Sequence, residues 1–319
     1  MTETNSRKVL DFEKPVDELQ QRIERLKRDG TSSAGEIARL NEKLSELEHK
    51  VYRDLSAWDR VQLARHPMRP TAYDYISHIC EEFEELHGDR YFADDPAMIG
   101  GLAKISGIPF MVIGQEKGRS TKEKIARNFG MVKPDGYRKS LRLMKLAEKF
   151  NLPILSLVDT QGAHPGIEAE ERGQPRAIAD NLKEVFGIAT PIIVVVIGEG
   201  GSGGALAIAV GDTILMLEHA IYSVITPEGC AAILWKTKEK APDAAAALRL
   251  TSGDCLELGV IDGIIEEVHG AAHRDLEGNA ARIRDAILGE YEKLDKVPPD
   301  GLLKMREEKF YAMGKFEEG

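Results

Sequence analysis

Apolar residues recur at helical spacing near both ends of the chain and fill whole segments of its middle. Val16, Leu19, Ile23 and Leu26 step by 3, 4 and 3; Ile37, Leu40, Leu44, Leu47 and Val51 repeat the rhythm toward Leu55. Such stripes predict two amphipathic helices, and the turn chemistry of Asp29–Gly35 between them predicts an antiparallel hairpin. The hairpin packs either on its own domain or against another subunit; the sequence leaves both open. Arg65–Pro70 is a proline-punctuated connector. Thr71 is placed to cap a helix running to about Leu86, with Tyr75, Ile79, Phe83 and Leu86 on one face.

From Met98 the pattern changes. Strands are predicted at Met98–Ile105 and Ile108–Ile113 around the turn Ser106-Gly107, then a helix Gly136–Phe150 and a buried strand Ile154–Val158. The loop Asp159–Gly166, a helix to about Phe186, a second apolar strand Ile192–Ile197 and a short glycine-led helix follow. Further strands are expected at Thr213–Leu217, Ile221–Val224 and Ile264-Ile265. Ser252 is expected to cap a helix ending near Leu258, and a long helix spans about Asp275–Leu294. Apolar strands alternating with helices predict a mostly parallel, buried α/β sheet.

Composition narrows the class. The 319 residues are 42% hydrophobic and 30% charged, with net charge −10, which argues against general affinity for nucleic acid or anionic membranes. The chain lacks a long apolar stretch and a signal-peptide core, which makes the cytoplasm the expected compartment. Cys80, Cys230 and Cys255 are widely spaced, and the histidines show no metal-ligand spacing, so no disulfide framework and no metal site are expected. One segment departs from the acidic whole. Glu116–Lys145 carries ten Lys/Arg against three acids, a net +7, suited to a polyanionic substrate or acidic partner, or else a solvated helix face. Lys117 and Arg119, directly after a strand, are its best anion-binding candidates.

The candidate chemistry lies where the second apolar strand ends, in Gly198-Glu-Gly-Gly-Ser-Gly-Gly204. Gly198, Gly200 and Gly203 spell the dinucleotide pattern G-x-G-x-x-G, with Glu218 as its acid; however, the following helix is barely two turns and the unit too short. Gly200, Ser202 and Gly204 spell a nucleophile elbow, with Asp212 and His219 as the downstream acid and base. Packing of a helix close to a sheet is the plainest alternative. The remaining reading is an oxyanion hole: glycine amides opening a helix, facing a companion loop Asp159–Gly166 that offers Gly162 and Ala163. Glu168, Glu170 and Glu171 nearby fit a solvated first helical turn better than a general base.

Longer segments carry a resemblance. GEGGSGGALAI (198–208), SVITPEGCAAILWK (223–236), KGRSTKEKIARNFGM (117–131), GYRKSLRLM (136–144) and AEERGQ (169–174) resemble the α-subunit family of bacterial acetyl-CoA carboxylase carboxyltransferases, as do LDFEKPVDEL (10–19) and LARHPMRPTAYDYI (63–76). The resemblance implies a crotonase-like (ClpP/crotonase) α/β spiral of strand–strand–helix units over 63–298, preceded by the helical hairpin at 1–62 and followed by a charged tail at 299–319. It implies a zinc-ribbon β subunit as partner in an α2β2 assembly, with the metal on β and none on this chain. It also implies a biotin carboxyl carrier protein, a biotin carboxylase in the same complex, and a coenzyme A thioester as substrate. The biotin rides on the carrier.

The implied reaction moves a carboxyl group from carboxybiotin to acetyl-CoA, giving malonyl-CoA for fatty acid synthesis. By the same resemblance Gly203 and Gly204 hold the ureido oxygen through their N–H groups, with Gly162, Ala163, Gly200 and Gly201 as substrate-binding neighbours. A bulky residue at Gly203 is then expected to slow turnover by clash and by misdirected amides. The companion loop departs from the family's usual pattern at Gln161 (normally Pro) and His164 (normally Tyr). Rival readings are a stand-alone crotonase-like hydratase or isomerase, which needs an acid over the thioester, a Ser202 hydrolase, and a scaffold subunit with a decayed site.

Overall fold

The computed structural model describes residues 9–30 and 33–314. Helices α1 (Lys14–Asp29) and α2 (Ala34–Arg53) form the predicted hairpin; positions 31 and 32 of its turn lie outside the described residues. Ser33 caps α2, its hydroxyl accepting from the Glu36 amide. Tyr52 Oη donates to Glu13 Oε1 at 2.7 Å within the hairpin, which docks on its own chain where Arg274 reaches Glu48 at 2.6 Å and Tyr52 packs with Leu63 and Ala271. Helix α3 (Ala57–Ala64) packs Val61 and Ala64 against Ile221, Ala245 and Leu250, so a boundary at residue 62 cuts through a helix seated on the body.

Helix α4 (Ala72–Ile79) starts where Thr71 predicts but stops seven residues short of Leu86. The chain there becomes strand β1 (Glu82–Glu85), antiparallel to β2 (Met98–Ile105) from Glu82↔Lys104 to Glu85↔Gly101. An open sheet edge outcompetes the helical spacing of Phe83 and Leu86. β2 turns through Ser106-Gly107 into β3 (Ile108–Gln115), and then come α5 (Thr121–Ala126) and α6 (Pro134–Lys149).

The parallel core begins with β4 (Ile154–Thr160), buried throughout, as its apolar composition requires. A single helix to Phe186 was expected; the segment is two, α7 (Ile167–Glu171) and α8 (Gln174–Val185), divided at Gly173 in the left-handed region. Next come β5 (Ile192–Gly201), α9 (Ser202–Ala209), β6 (Thr213–Leu217), β7 (Ile221–Ser223), α10 (Pro227–Trp235) and α11 (Ala241–Leu248). Helix α12 (Ser252–Glu257) takes its cap from Thr251 rather than Ser252, and β8 (Gly263–Ile265) closes the sheet.

Strand order is β1-β2-β3-β4-β5-β6-β8, parallel from β3 onward. β5 is long enough to serve two neighbours, β6 along Ile193–Val196 and β7 along Glu199–Gly201. The carboxyl ends of β3, β4 and β5 therefore lie side by side, where open parallel sheets hold their ligands.

Helix α13 (Leu276–Leu294) follows, with Asp275 as its cap, and then α14 (Pro299–Tyr311). The charged composition after Pro298 suggested a tail; through Tyr311 it is a helix fastened to the body. Arg306 is fully buried, forks onto Asp212 at 3.0 and 2.8 Å, and donates to the carbonyls of Val185, Ile188 and Thr190. A guanidinium satisfied on every side can be buried without an apolar neighbour of its own. Residues 315–319 lie outside the described residues.

Candidate active site

The glycine turn between β5 and α9 sits in backbone contact with the companion loop. A Cβ at Gly201 would collide with the Gln161 carbonyl oxygen, and one at Gly204 with the Ala163 nitrogen and, at 2.6 Å, the Gly162 carbonyl carbon. Only glycine permits that approach. Gly203 differs: its nearest neighbour would be Ile178 Cγ2 at 3.7 Å, an ordinary contact. A single Cβ is therefore accommodated at Gly203 but not at Gly204. Between them and the strand, Ser202 turns the corner with φ 52°, a left-handed conformation that its side chain disfavours.

Helix α9 is anchored at its carbonyls. Gln115 Nε2 donates to Gly204 O at 2.8 Å and Tyr137 Oη to the same oxygen at 3.1 Å; Asn181 serves Ala207 O and Ser156 serves Ile208 O. All four donors are buried. At the other end no side chain caps the helix, so the first-turn amides, those of Gly203 and Gly204 included, have no intrahelical acceptor. Gly203 forms part of the wall of an apolar groove of about 360 Å³ with Leu206, Tyr222, Val224, Leu258 and Val260, whereas Gly204 is buried against the companion loop. No carboxylate lines that groove among the described residues; its one charged residue is Arg249.

On the other side of the turn lies a polar cleft of about 450 Å³ bordered by Arg65, Lys117, Lys124, Phe129, Gln161, Thr226 and Glu228. Its floor is an ion network. Lys117 Nζ lies 2.7 Å from Asp159 and 2.9 Å from Glu199; Arg65 lies 2.6 Å from both Glu199 and Glu228. Burial alone would discharge Lys117, but Asp159 and Glu199 outweigh it and hold the ammonium above the ordinary lysine range. Burial likewise opposes charge on Glu199, yet Lys117 and Arg65 pull it below the usual carboxylate range. Asp159 sits at a register shift between β4 and β5, a bulge that aims it at Lys117.

The basic segment loses its surplus on folding. Six of its ten cations face carboxylates: Lys117, Arg119 (with Asp74), Lys133, Arg138, Lys139 and Lys145. Arg127 and Arg142 donate to backbone carbonyls, which leaves Lys122 and Lys124 without a bond among the described residues. Lys117 and Arg119 are thus neutralised locally rather than presented to an anion. In the companion loop, Gln161 Nε2 meets Met131 Sδ at 3.3 Å. His164 Nε2 lies 3.2 Å from Glu168, and its backbone is held by Val132 and Gln174.

The competing motifs come apart in space. Asp212 is held by Arg306 and the Ile192 amide, and His219 Nδ1 faces Arg60 at 2.7 Å, so neither serves Ser202. Glu218 accepts from the Glu267 amide beside the buried Arg69–Glu267 pair, far from a ribose-binding role. One cluster has a metal-like composition, Glu13, His66 and His273. Its two imidazoles stack with centroids 3.8 Å apart at 21°, so no ion about 2.0–2.1 Å from each nitrogen would lie in both ring planes. His273 Nε2 instead meets Glu13 at 3.1 Å, a polar clasp under the hairpin. Sequence reasoning missed Gln115, Tyr137, Ser156 and Asn181; polar residues breaking apolar strands, as at Ser156 and Gln115, were the available signal.

The fold is the crotonase-like one of known carboxyltransferases. The transcarboxylase 12S structure solved with methylmalonyl-coenzyme A and methylmalonic acid overlays with TM-score 0.58 at 18% identity, covering 71% of this chain and 42% of that one. A Pseudomonas malonate decarboxylase hetero-tetramer with coenzyme A gives 0.57 at 16%, over 73% and 90%. At such identity these likenesses show the fold alone. The family described as acetyl co-enzyme A carboxylase carboxyltransferase-like matches residues 9–314. The acetyl-coenzyme A carboxylase carboxyl transferase subunit alpha of Methylococcus capsulatus is 55% identical over 98% of both chains. That of Halorhodospira halophila is 51% identical over 97% of this chain and 98% of the relative. The chain belongs to the acetyl-CoA carboxylase carboxyltransferase family, as a subunit of the alpha type.

Proposed function

We propose that this chain supplies the carboxybiotin half of the transfer site, with Gly203 and Gly204 as its backbone oxyanion donors. One observation carries the reading: a helix anchored at its carbonyls opens with uncapped glycine amides at the carboxyl ends of three parallel strands. Carboxybiotin, when bound, supplies the carboxyl group for acetyl-CoA and a basic site for the proton leaving the acetyl methyl. The chain's residues then have three tasks. Gly203 and Gly204 hold an oxygen that gains negative charge, and the helix dipole favours it there. The apolar groove keeps water from that oxygen and strengthens both bonds. Gly162, Ala163 and Gly201 hold the turn and the companion loop together through close backbone approach, and Gly200 leaves room for the Tyr222 ring.

No protein base is needed, which fits a groove without a carboxylate and speaks against a stand-alone hydratase. Lys117 and Arg119 enter as fasteners of the loops rather than as direct substrate ligands. The partners we propose are a zinc-ribbon β subunit in an α2β2 assembly, a biotin carboxyl carrier protein and a biotin carboxylase. The setting is cytoplasmic fatty acid synthesis; no helix among the described residues is long and apolar enough to cross a membrane. The test is to assay carboxyl transfer from malonyl-CoA to free biotin with the chain alone and co-expressed with a zinc-ribbon subunit. Activity only in the complex is expected. Full activity of the isolated chain, or none in the complex, would overturn the reading.

A further inference from the structure

We propose that Gln115 is a positioning residue for carboxyl transfer, a carboxamide spacer that sets the oxyanion turn against the companion loop. The inference rests on the oxyanion reading of Gly203 and Gly204. Gln115 ends β3 and is wholly buried. Its Nε2 donates to the carbonyl of Gly204 at 2.8 Å, while its Oε1 accepts the amide of Asp159 at 3.1 Å. One rigid, planar group therefore holds both the residue that carries a proposed donor N–H and the residue that opens the facing loop. The separation of the two loops is fixed by the length of one carboxamide. Tyr137 Oη, from α6, donates to the same Gly204 oxygen at 3.1 Å and limits its sideways swing.

Oxyanion donors act only when they meet the developing charge at hydrogen-bond distance, and small misplacements are costly to rate. A residue that sets their position through buried bonds, without touching substrate, changes kcat more than KM. The substitution Gln115→Glu is informative because the protonated acid reproduces both bonds. Its O–H donates to Gly204 and its carbonyl accepts from Asp159. The ionised form keeps an acceptor for the Asp159 amide but sets a charged acceptor against the Gly204 carbonyl and repels it. The groups facing position 115 are Asp159 on β4, with Lys117 and Glu199 bonded to it, and the Tyr137 hydroxyl on α6.

The experiment uses the chain in complex with its β subunit. Transfer from malonyl-CoA to biotin is measured across pH 6–9 for wild type, Gln115→Leu and Gln115→Glu, with Tm and amide hydrogen exchange of residues 198–208 followed in parallel. Gln115→Leu is expected to lower kcat about tenfold to a hundredfold, with KM within about twofold and faster exchange in 198–208. Gln115→Glu is expected to work best at low pH and to fall toward the leucine variant as pH rises, a limb that wild type lacks. A leucine variant within twofold of wild-type kcat overturns the proposal, as does a glutamate variant whose pH profile parallels wild type. If the wild-type complex transfers no carboxyl group, the oxyanion reading fails instead. The exchange measurement still decides the spacer role, and unchanged exchange overturns it.

Discussion

The glycine turn at 198–204 and the basic segment at 116–145 were the two compositional anomalies of this chain, and folding treats them oppositely. In the turn, function is carried by backbone, and the residue type that frees the backbone is visible wherever it occurs. In the basic segment, charge is consumed by partners distant in sequence: Arg119 by Asp74, Arg138 by Asp89, Lys117 by Asp159 and Glu199. Local counting of charge therefore overstates what the surface offers, whereas local counting of glycine understates how tightly each one is held.

The sharpest way to break that comparison is to add one methyl group. Gly204→Ala places a Cβ against the Ala163 nitrogen and should push the two loops apart, misaiming both proposed donors. Loss of at least a hundredfold in carboxyl transfer is expected, roughly 2.7–4 kcal/mol in the barrier. Gly203→Ala meets only Ile178 Cγ2 at 3.7 Å and should stay within about tenfold of wild type. Equal losses at the two positions, measured as kcat with folding checked by Tm, would sink the assignment of crowding to Gly204.

Within the basic segment the same contrast is internal. Lys117→Met leaves Asp159 and Glu199 buried without their shared cation, and breaking a buried pair costs about 3–5 kcal/mol. Lys122→Ala and Lys124→Ala remove charges that the fold does not use and should change stability by about 0.5 kcal/mol or less. Denaturant unfolding of the three variants measures this directly. A Lys117 variant as stable as the other two would return the residue to the role of a free anion site.

The elements around the turn show how much was legible and why the rest was not. Strands β4 and β5 could be read because their cores are apolar but for Ser156. The hairpin could be read because α1 and α2 keep their stripes. The helix assigned through Leu86 failed at Ile79 because the spacing of Phe83 and Leu86 is helical while the segment pairs with β2. Only the pairing of Glu82 with Lys104 decides between helix and strand. Helix α14 was hidden because its anchor is Arg306, whose partners Asp212, Val185 and Thr190 lie about a hundred residues away. Gln115 was hidden for the same reason. Its meaning is given by Gly204 and Asp159, and a lone glutamine ending a strand does not announce either.

Acid should separate side-chain cohesion from backbone geometry. Burial, against the pull of Glu267, depresses His219 from 6.5 to about 4. Burial would raise Glu267, but Arg69 outweighs it and holds the carboxyl at about 2 instead of 4.5. Both folded values lie below the unfolded ones, so each group's stabilisation is complete above its unfolded value and is lost as pH falls. For His219 the window is about pH 6.5 to 4, and for Glu267 about 4.5 to 2. Tm should therefore decline below pH 6.5 in two stages, and His219→Gln should flatten only the first. A wild-type Tm constant down to pH 4.5 would contradict the assignment of a buried neutral His219.

The smallest expected effect tests the rival reading of the turn, the serine between the glycine pairs. Ser202 is exposed, and the acid and base once paired with it are engaged by Arg306 and Arg60. Ser202→Ala should keep transfer within about twofold, and a fluorophosphonate probe should leave the wild-type residue unlabelled. Ser202→Gly relieves a left-handed residue, worth about 1–2 kcal/mol, but frees the unfolded chain by about 0.4–1 kcal/mol. The net gain in stability is thus about 0–1.6 kcal/mol. A serine whose hydroxyl did the chemistry would lose turnover by orders of magnitude in both variants. One that merely turns a corner gains a little stability from glycine and loses nothing as alanine, which would leave the chemistry of this turn with its amides.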